Sequence, residues 1–247
     1  MTFKDLFSGH SAEYSQHRPT YPPELFEYLS SLVSSHEAAW DCATGNGQAA
    51  IALAGYFQKV YATDASEKQI ANAFHHPKIQ YSVALAEDSR LPDKSVDLIT
   101  LATAIHWIDT DKFADEARRV IKPGGILAVW NYTRCIIGNE ITAILDDYYQ
   151  NILGKYWDPK LYSLLFDDTL YELPFEKIKA PDIPMVSNWN FEQLINYLKT
   201  WSASQKYIKE NNSDPLEFIY EPLRNSWKDK DEVKEINWQY FLRVYKI

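Results

Sequence analysis

Between residues 38 and 131 short apolar runs alternate with segments of helical periodicity. "AAWDCA", "KVYATD", "IQYSVA", "VDLITLA" and "GILAVWNY" are brief, largely apolar runs and read as strands. Between them "GQAAIALAGYF", "SEKQIANAF" and "DKFADEARRVI" read as helices. The first starts after Gly47 and ends near Gly55. The second opens with Ser66 and Gln69 at capping-box spacing. The third is expected to stop at "KPGG", where Pro123 and two glycines break it. Strands alternating with helices predict a mostly parallel sheet covered on both faces.

The flanks are patterned differently. "YPPELFEYLSSL" predicts an amphipathic helix, with Pro22 and Pro23 at its first turn and Leu25, Leu29 and Leu32 along one side. "NEITAILDDYYQNIL" places Ile141, Ile144, Leu145, Tyr148 and Ile152 on one face. An irregular, aromatic stretch runs on to about residue 189. "NFEQLINYLKTWSA" aligns Phe191, Leu194, Ile195, Leu198 and Trp201, which assigns Trp201 to the core. Residues 209–232 are polar and expected to be exposed, and "INWQYFLRVYKI" reads as a closing strand. The chain is therefore taken as a single domain over residues 1–247. It comprises an N-terminal lid and helix at 1–34, a cofactor-binding core at 38–131, a substrate-side cover at 134–232 and a final strand at 236–247.

Composition narrows the function. With 46% hydrophobic and 24% charged residues the chain is a globular protein with a real core. Its net charge of -9 and lack of a basic run argue against a nucleic-acid partner, because that affinity rests on cations that neutralise phosphates. Two cysteines, Cys42 and Cys135, suggest no disulfide framework and fit a reducing, cytoplasmic setting. No signal-peptide core and no membrane-length apolar run is seen, so no membrane association is expected. The aromatic content, 15% and concentrated after residue 130, suggests that the C-terminal half shapes a pocket.

The candidate chemistry begins at "DCATGNGQAA". Gly45 and Gly47 lie between a strand and a helix, where glycine permits a tight turn and lets a ligand touch bare backbone. In an open α/β sheet this is the carboxyl edge where ligands bind. With Ala50 the spacing also fits a loose dinucleotide fingerprint. An ordinary strand–helix turn is the plainer reading of the glycines alone, and a helix N-cap is the plainer reading of Asp64 alone. Together they suit an adenine nucleoside, because a carboxylate ending the second strand can accept from both ribose hydroxyls. That much fits NAD and S-adenosylmethionine equally. Asp41 separates them: an acid beside the turn would repel a pyrophosphate and suit the cationic amino group and sulfonium of S-adenosylmethionine.

At these residues the chain resembles the class I S-adenosylmethionine-dependent methyltransferases. "DCATGNG" follows their acid-and-glycine turn, with Ala43 in place of the first glycine. The resemblance covers residues 10–131 well and the remainder more weakly. It implies a doubly wound, Rossmann-like α/β fold with a seven-stranded, mostly parallel sheet and helices on both faces. It assigns Asp41, Ala43, Gly45, Gly47, Asp64 and Ala65 to the cofactor. It also puts Ala86 and Glu87 where the loop after strand three meets adenine. Leu85 stands where many members carry an acid. "EYSQHRPTYP", "AIHWID" and "YLKTWSA" are similar to the trans-aconitate methyltransferase-like subgroup, whose members methylate small carboxylic acids.

Around this core Tyr14 and Arg18 are expected to form a lid, with Arg18 gripping a carboxylate of the cofactor or of the substrate in its planar fork. His106, at the end of strand four, is the candidate catalytic residue. It would orient the acceptor or take a proton, although a lone histidine is more often structural. Trp107, Trp130 and Tyr132 are expected to wall the acceptor site. No metal cluster, nucleophile elbow or P-loop lysine is evident. The expected activity is methyl transfer to a small molecule. An NAD-linked oxidoreductase and a non-catalytic S-adenosylmethionine-binding protein stand as alternatives.

Overall fold

The structure, a computed structural model, describes residues 17–163 and 168–247. Tyr14 lies outside the described residues. Eight strands form one sheet in the order β3-β2-β1-β4-β5-β8-β6, with β7 also on β8. They are β1 (Ala38–Cys42), β2 (Lys59–Asp64), β3 (Ile79–Val83), β4 (Val96–Ala102), β5 (Ile121–Ile136), β6 (Glu176–Ile178), β7 (Met185–Trp189) and β8 (Lys234–Lys246). The first five pair in parallel, and β8 runs antiparallel to β5, β6 and β7. Lys177 pairs with Tyr245 while Ser187 pairs with Ile236, so β6 and β7 follow one another along the same edge of β8. The eight strands thus occupy seven positions, the sheet expected from the sequence.

The parallel strands need cover on both faces because their side chains are apolar on both. All five residues of β1 are buried. On one face lie α1 (Pro23–Ser31) and α2 (Gln48–Leu53), packing Leu25, Leu29 and Leu53 against Val60, Leu98 and Trp130. On the other face α4 (Thr110–Val120) packs Phe113, Ala117 and Val120 against Trp40, Ile99 and Leu127. The short α3 (Glu67–Ala71) is capped by Ser66, whose hydroxyl accepts from the Gln69 amide at 3.3 Å.

Two boundaries differ from expectation. α4 passes directly into β5: Ile121 is already extended, and Pro123, Gly124 and Gly125 form an irregular start to the strand, not a loop. The helix expected at 190–203 divides into α7 (Phe191–Lys199) and α8 (Ser202–Asn211), because Trp201 adopts φ -66 and ψ 134.

The C-terminal cover has its own aromatic core. α5 (Gly138–Asp147) runs into one wide turn, Tyr148–Ile152, in which the Leu153 amide reaches back to the Tyr148 carbonyl at 2.9 Å. α6 (Pro159–Ser163), α7 and α8 follow, and then α9 (Tyr220–Trp227). α9 corrects the expectation that residues 209–232 are simply exposed. Leu216, Ile219, Leu223 and Trp227 recur every three or four residues and are buried in the cover's core. The charges between them lower the average hydropathy and conceal the stripe. Among the described residues no helix is long and apolar enough to cross a membrane.

Candidate active site

The chain order reverses at β1, between β2 and β4, and the carboxyl edge there is the cleft-forming position of an open α/β sheet. The turn leaving β1 occupies it. Ala43, Gly45 and Gly47 have φ of 52, 56 and 90°, all left-handed. Gly45 has open space where a Cβ would project, so its backbone is bare. At Gly47 a Cβ would run into the hydroxyl of Tyr81, so a side chain there would have to displace the end of that ring in addition to adopting a positive φ.

Two acids hold this turn. Asp64 is half-buried; one oxygen accepts from the Gly45 amide at 2.8 Å and the other from the Ser66 amide at 2.9 Å. A carboxylate oxygen can accept more than one hydrogen bond, so these two amides do not by themselves exclude a ligand hydroxyl. The same carboxylate takes the Gly45 amide and the Gly47 amide is held by the Thr44 carbonyl, which weakens the dinucleotide reading, because a pyrophosphate needs amides of the turn free to donate.

Asp41 stands elsewhere than expected. It is 1% exposed and lies beneath the turn, accepting from Thr44 Oγ1 at 2.5 Å and from Thr100 Oγ1 at 2.8 Å. Burial raises its carboxyl to about 6, against the smaller lowering effect of the two threonines. Closed off from the surface in this way, Asp41 braces the turn and acts on a ligand through it, in place of the direct grip anticipated for it.

On the far side of β2 the loop after β3 is tied to α4 at two points. Glu87 accepts from the Asp109 amide at 2.7 Å, and the Ser89 amide and hydroxyl both donate to Glu116. Ala86 is buried, and Leu85, where an acid is common in the family, is half exposed. Glu87 is therefore anchored at the start of α4, and Leu85 and Asp88 bridge across the turn with their side chains exposed. Ala65 follows Asp64 on the same edge, half-buried.

A cleft, open at its mouth, lies over the carboxyl ends of β4 and β5. Arg18, His106, Trp107 and Tyr132 all line it. Arg18 donates to Tyr132 Oη at 2.9 Å and to the Thr200 carbonyl at 3.0 Å, and its guanidinium sits 5.4 Å from the Tyr197 ring centre. Next to it, the Pro19 carbonyl accepts from the Gln48 side chain at 2.9 Å. The N-terminal arm thereby joins the cleft to the helix that follows the glycine turn.

His106 is 2% exposed, and its Nδ1 finds no hydrogen-bond partner among the described residues. Burial lowers its pKa to about 3, so it is neutral at physiological pH and a weak base. That corrects the proton-taking half of its expected role and leaves the orienting half. Trp130 is also corrected. It is fully buried, with Tyr21 and Phe26 packed edge-on against it at 5.3 and 6.1 Å, and belongs to the core between sheet and α1.

The sequence reading passed over several lining residues. Tyr149 and Trp157 stack at 4.3 Å, and Trp201 packs 5.5 Å from Tyr149 and 5.4 Å from Trp157. All three border the cleft. Thr103 also borders it, with φ of 54°, an unusual state for a β-branched residue. Its amide donates to the Trp130 carbonyl at 2.7 Å, and its hydroxyl meets Tyr21 Oη at 3.2 Å. This kink turns the chain out of β4 and folds His106 and Trp107 over the sheet edge.

Comparison with known proteins agrees with this architecture. The methyltransferase-domain family matches residues 40–129, from β1 into β5. A "Putative methyltransferase" of Dictyostelium discoideum is 32% identical over 99% of this chain and 95% of its own length. A "Probable S-adenosylmethionine-dependent methyltransferase" of Saccharomyces cerevisiae is 26% identical over 83% of each chain. The solved structure of a "Putative Type II Methyltransferase" from Anaeromyxobacter dehalogenans superposes with a TM-score of 0.85 at 35% identity, covering 93% of this chain and 97% of that one.

Proposed function

Since the chain belongs to the class I S-adenosylmethionine-dependent methyltransferases, we propose that it methylates the carboxylate of a small acid held in the cleft over β4 and β5. The observation that carries this reading is Arg18. It is the one charged side chain among the described residues lining the cleft, and a guanidinium matches a carboxylate in both charge and planar geometry. The narrower resemblance to the trans-aconitate methyltransferase-like subgroup points to the same acceptor class.

The residues fit S-adenosylmethionine. The turn at Gly45 has open space beside its backbone, Asp64 stands at the end of β2 where it would meet the ribose, and the loop after β3, with Ala86, would meet adenine. When bound, the cofactor supplies an electrophilic methyl group on a sulfonium. The acceptor's carboxylate oxygen would take that methyl group, with the S–C electron pair left on sulfur. The carboxylate is already ionised, so no proton has to move. That agrees with a buried histidine whose pKa is far below neutrality. What remains for the protein is alignment and exclusion of water. Arg18 and Tyr132 fix the acceptor's charged end, and the aromatic walls remove solvent.

The test is methyl transfer from radiolabelled S-adenosylmethionine to mixed small acids, amines and phenols. Product from acids that releases labelled methanol in alkali is the signature of an ester. Label confined to amines or phenols, stable to alkali, would overturn the reading.

A further inference from the structure

The cleft is unequally furnished. Arg18, Tyr132, Thr103 and Thr133 supply polar groups toward the sheet edge, while Tyr149, Trp157 and Trp201 supply an aromatic wall to which Ser202 adds one hydroxyl. The rings hold one another rigidly: Tyr149 and Trp157 are nearly parallel, at 22°, and Trp201 stands at 73° to Tyr149. Tyr197 closes the arrangement, perpendicular to Trp201 and beneath the Arg18 guanidinium. His106 adds a neutral imidazole whose enclosed Nδ1 has no partner among the described residues. Among the described lining residues there is no second cation.

We propose that the acceptor is a monocarboxylic acid with a planar, π-conjugated body, its carboxylate at Arg18 and its flat body among Tyr149, Trp157 and Trp201. This rests on the preceding reading that the acceptor is a carboxylate. A second or third carboxylate among the rings would find no second cation among the described lining residues to offset its desolvation, and buried unpaired charge is strongly disfavoured. Rigid ring faces and edges favour a flat partner over a puckered one, because offset stacking and edge-to-face contact add to plain area burial. The same wall that accepts one such acid therefore discriminates, within the small carboxylic acids, against those with further carboxylates.

Calorimetric titration of the full chain saturated with S-adenosylhomocysteine tests this. The probes are benzoate, cinnamate and 2-naphthoate, each beside its fully hydrogenated counterpart and a derivative bearing a second carboxylate on the ring. At least one flat monoacid is expected to bind about tenfold or more tightly than both of its partners. Trp201→Leu or Tyr149→Leu should erase that preference while S-adenosylhomocysteine still binds; two variants guard against one failing to fold. Equal affinity for flat and saturated acids, or tighter binding of the diacids, overturns the proposal and leaves the carboxylate reading standing. If S-adenosylhomocysteine binds and no acid does, both the proposal and the carboxylate reading fall.

Discussion

The Asp64 carboxylate accepts the Gly45 amide at 2.8 Å, which closes the glycine turn from the β2 side with the acid expected to meet the ribose. One group therefore shapes the turn and serves its ligand. Asp64→Ala should weaken S-adenosylhomocysteine binding about 10- to 100-fold, the loss expected for charge-assisted hydrogen bonds. It should also lower thermal stability, because two backbone amides lose their acceptor. Unchanged affinity in a folded variant would show that the ribose is held elsewhere.

At Gly47 the backbone has φ of 90° and the Tyr81 hydroxyl fills the space a Cβ would need. Gly47→Ala should cost about 1–3 kcal/mol of stability through the positive φ and the collision together. Adding Tyr81→Phe removes the hydroxyl and should recover part of that loss, never all of it. Chemical denaturation of the single and double variants separates the two contributions. Equal stabilities for the two would dismiss the collision.

Ala43 adopts φ of 52° in the position where the family carries glycine. An alanine held in the left-handed region is strained, whereas glycine is not. Ala43→Gly should raise stability by roughly 0.5–1 kcal/mol with cofactor binding retained. A loss of stability on denaturant titration would mean that the alanine methyl makes a contact outweighing the strain.

Asp41 and His106 give opposite pH dependences. The Asp41 carboxyl is raised to about 6 in the fold, so its unfavourable ionisation removes stability as pH climbs from about 4 to 6. The effect is on the order of 3 kcal/mol. His106 is held neutral down to about 3, so its contribution is full above its ordinary value near 6.5 and is lost as pH falls below that. Melting of Asp41→Asn should improve relative to the parent between pH 4 and 7, while His106→Gln should worsen over the same interval. Curves for both variants parallel to the parent would refute the burial argument. The kcat/KM profile should show no His106 ionisation near neutrality.

The parallel half of the fold was legible because burial on both faces leaves unbroken apolar runs such as "VDLITLA", and Gly45 and Gly47 mark a turn wherever they stand. The acids' positions were legible, but not how Asp41 works. Which of its oxygens faces Thr44 and Thr100 depends on a packing that no local pattern encodes. Tyr149 was missed for a definite reason. It stands at the edge of an apolar stripe that Tyr148 already continues, and it is the wide turn at residues 148–152 that buries Tyr148 and Tyr149 together. Trp130 misled because it ends an alternation at the sheet's carboxyl edge, yet it points toward α1, while Tyr132, two residues on, reaches Arg18. Side-chain alternation gives the same face to both; the reach of the N-terminal arm decides which one meets the cleft.

A crystal structure of the ternary complex with S-adenosylhomocysteine and cinnamate tests the account most directly. The account predicts the adenosyl group over the Gly45 turn with its ribose hydroxyls on Asp64, its sulfur facing the cleft and the cinnamate carboxylate within hydrogen-bond distance of Arg18. An adenosyl group seated away from Asp64, or a carboxylate directed away from Arg18, would contradict it.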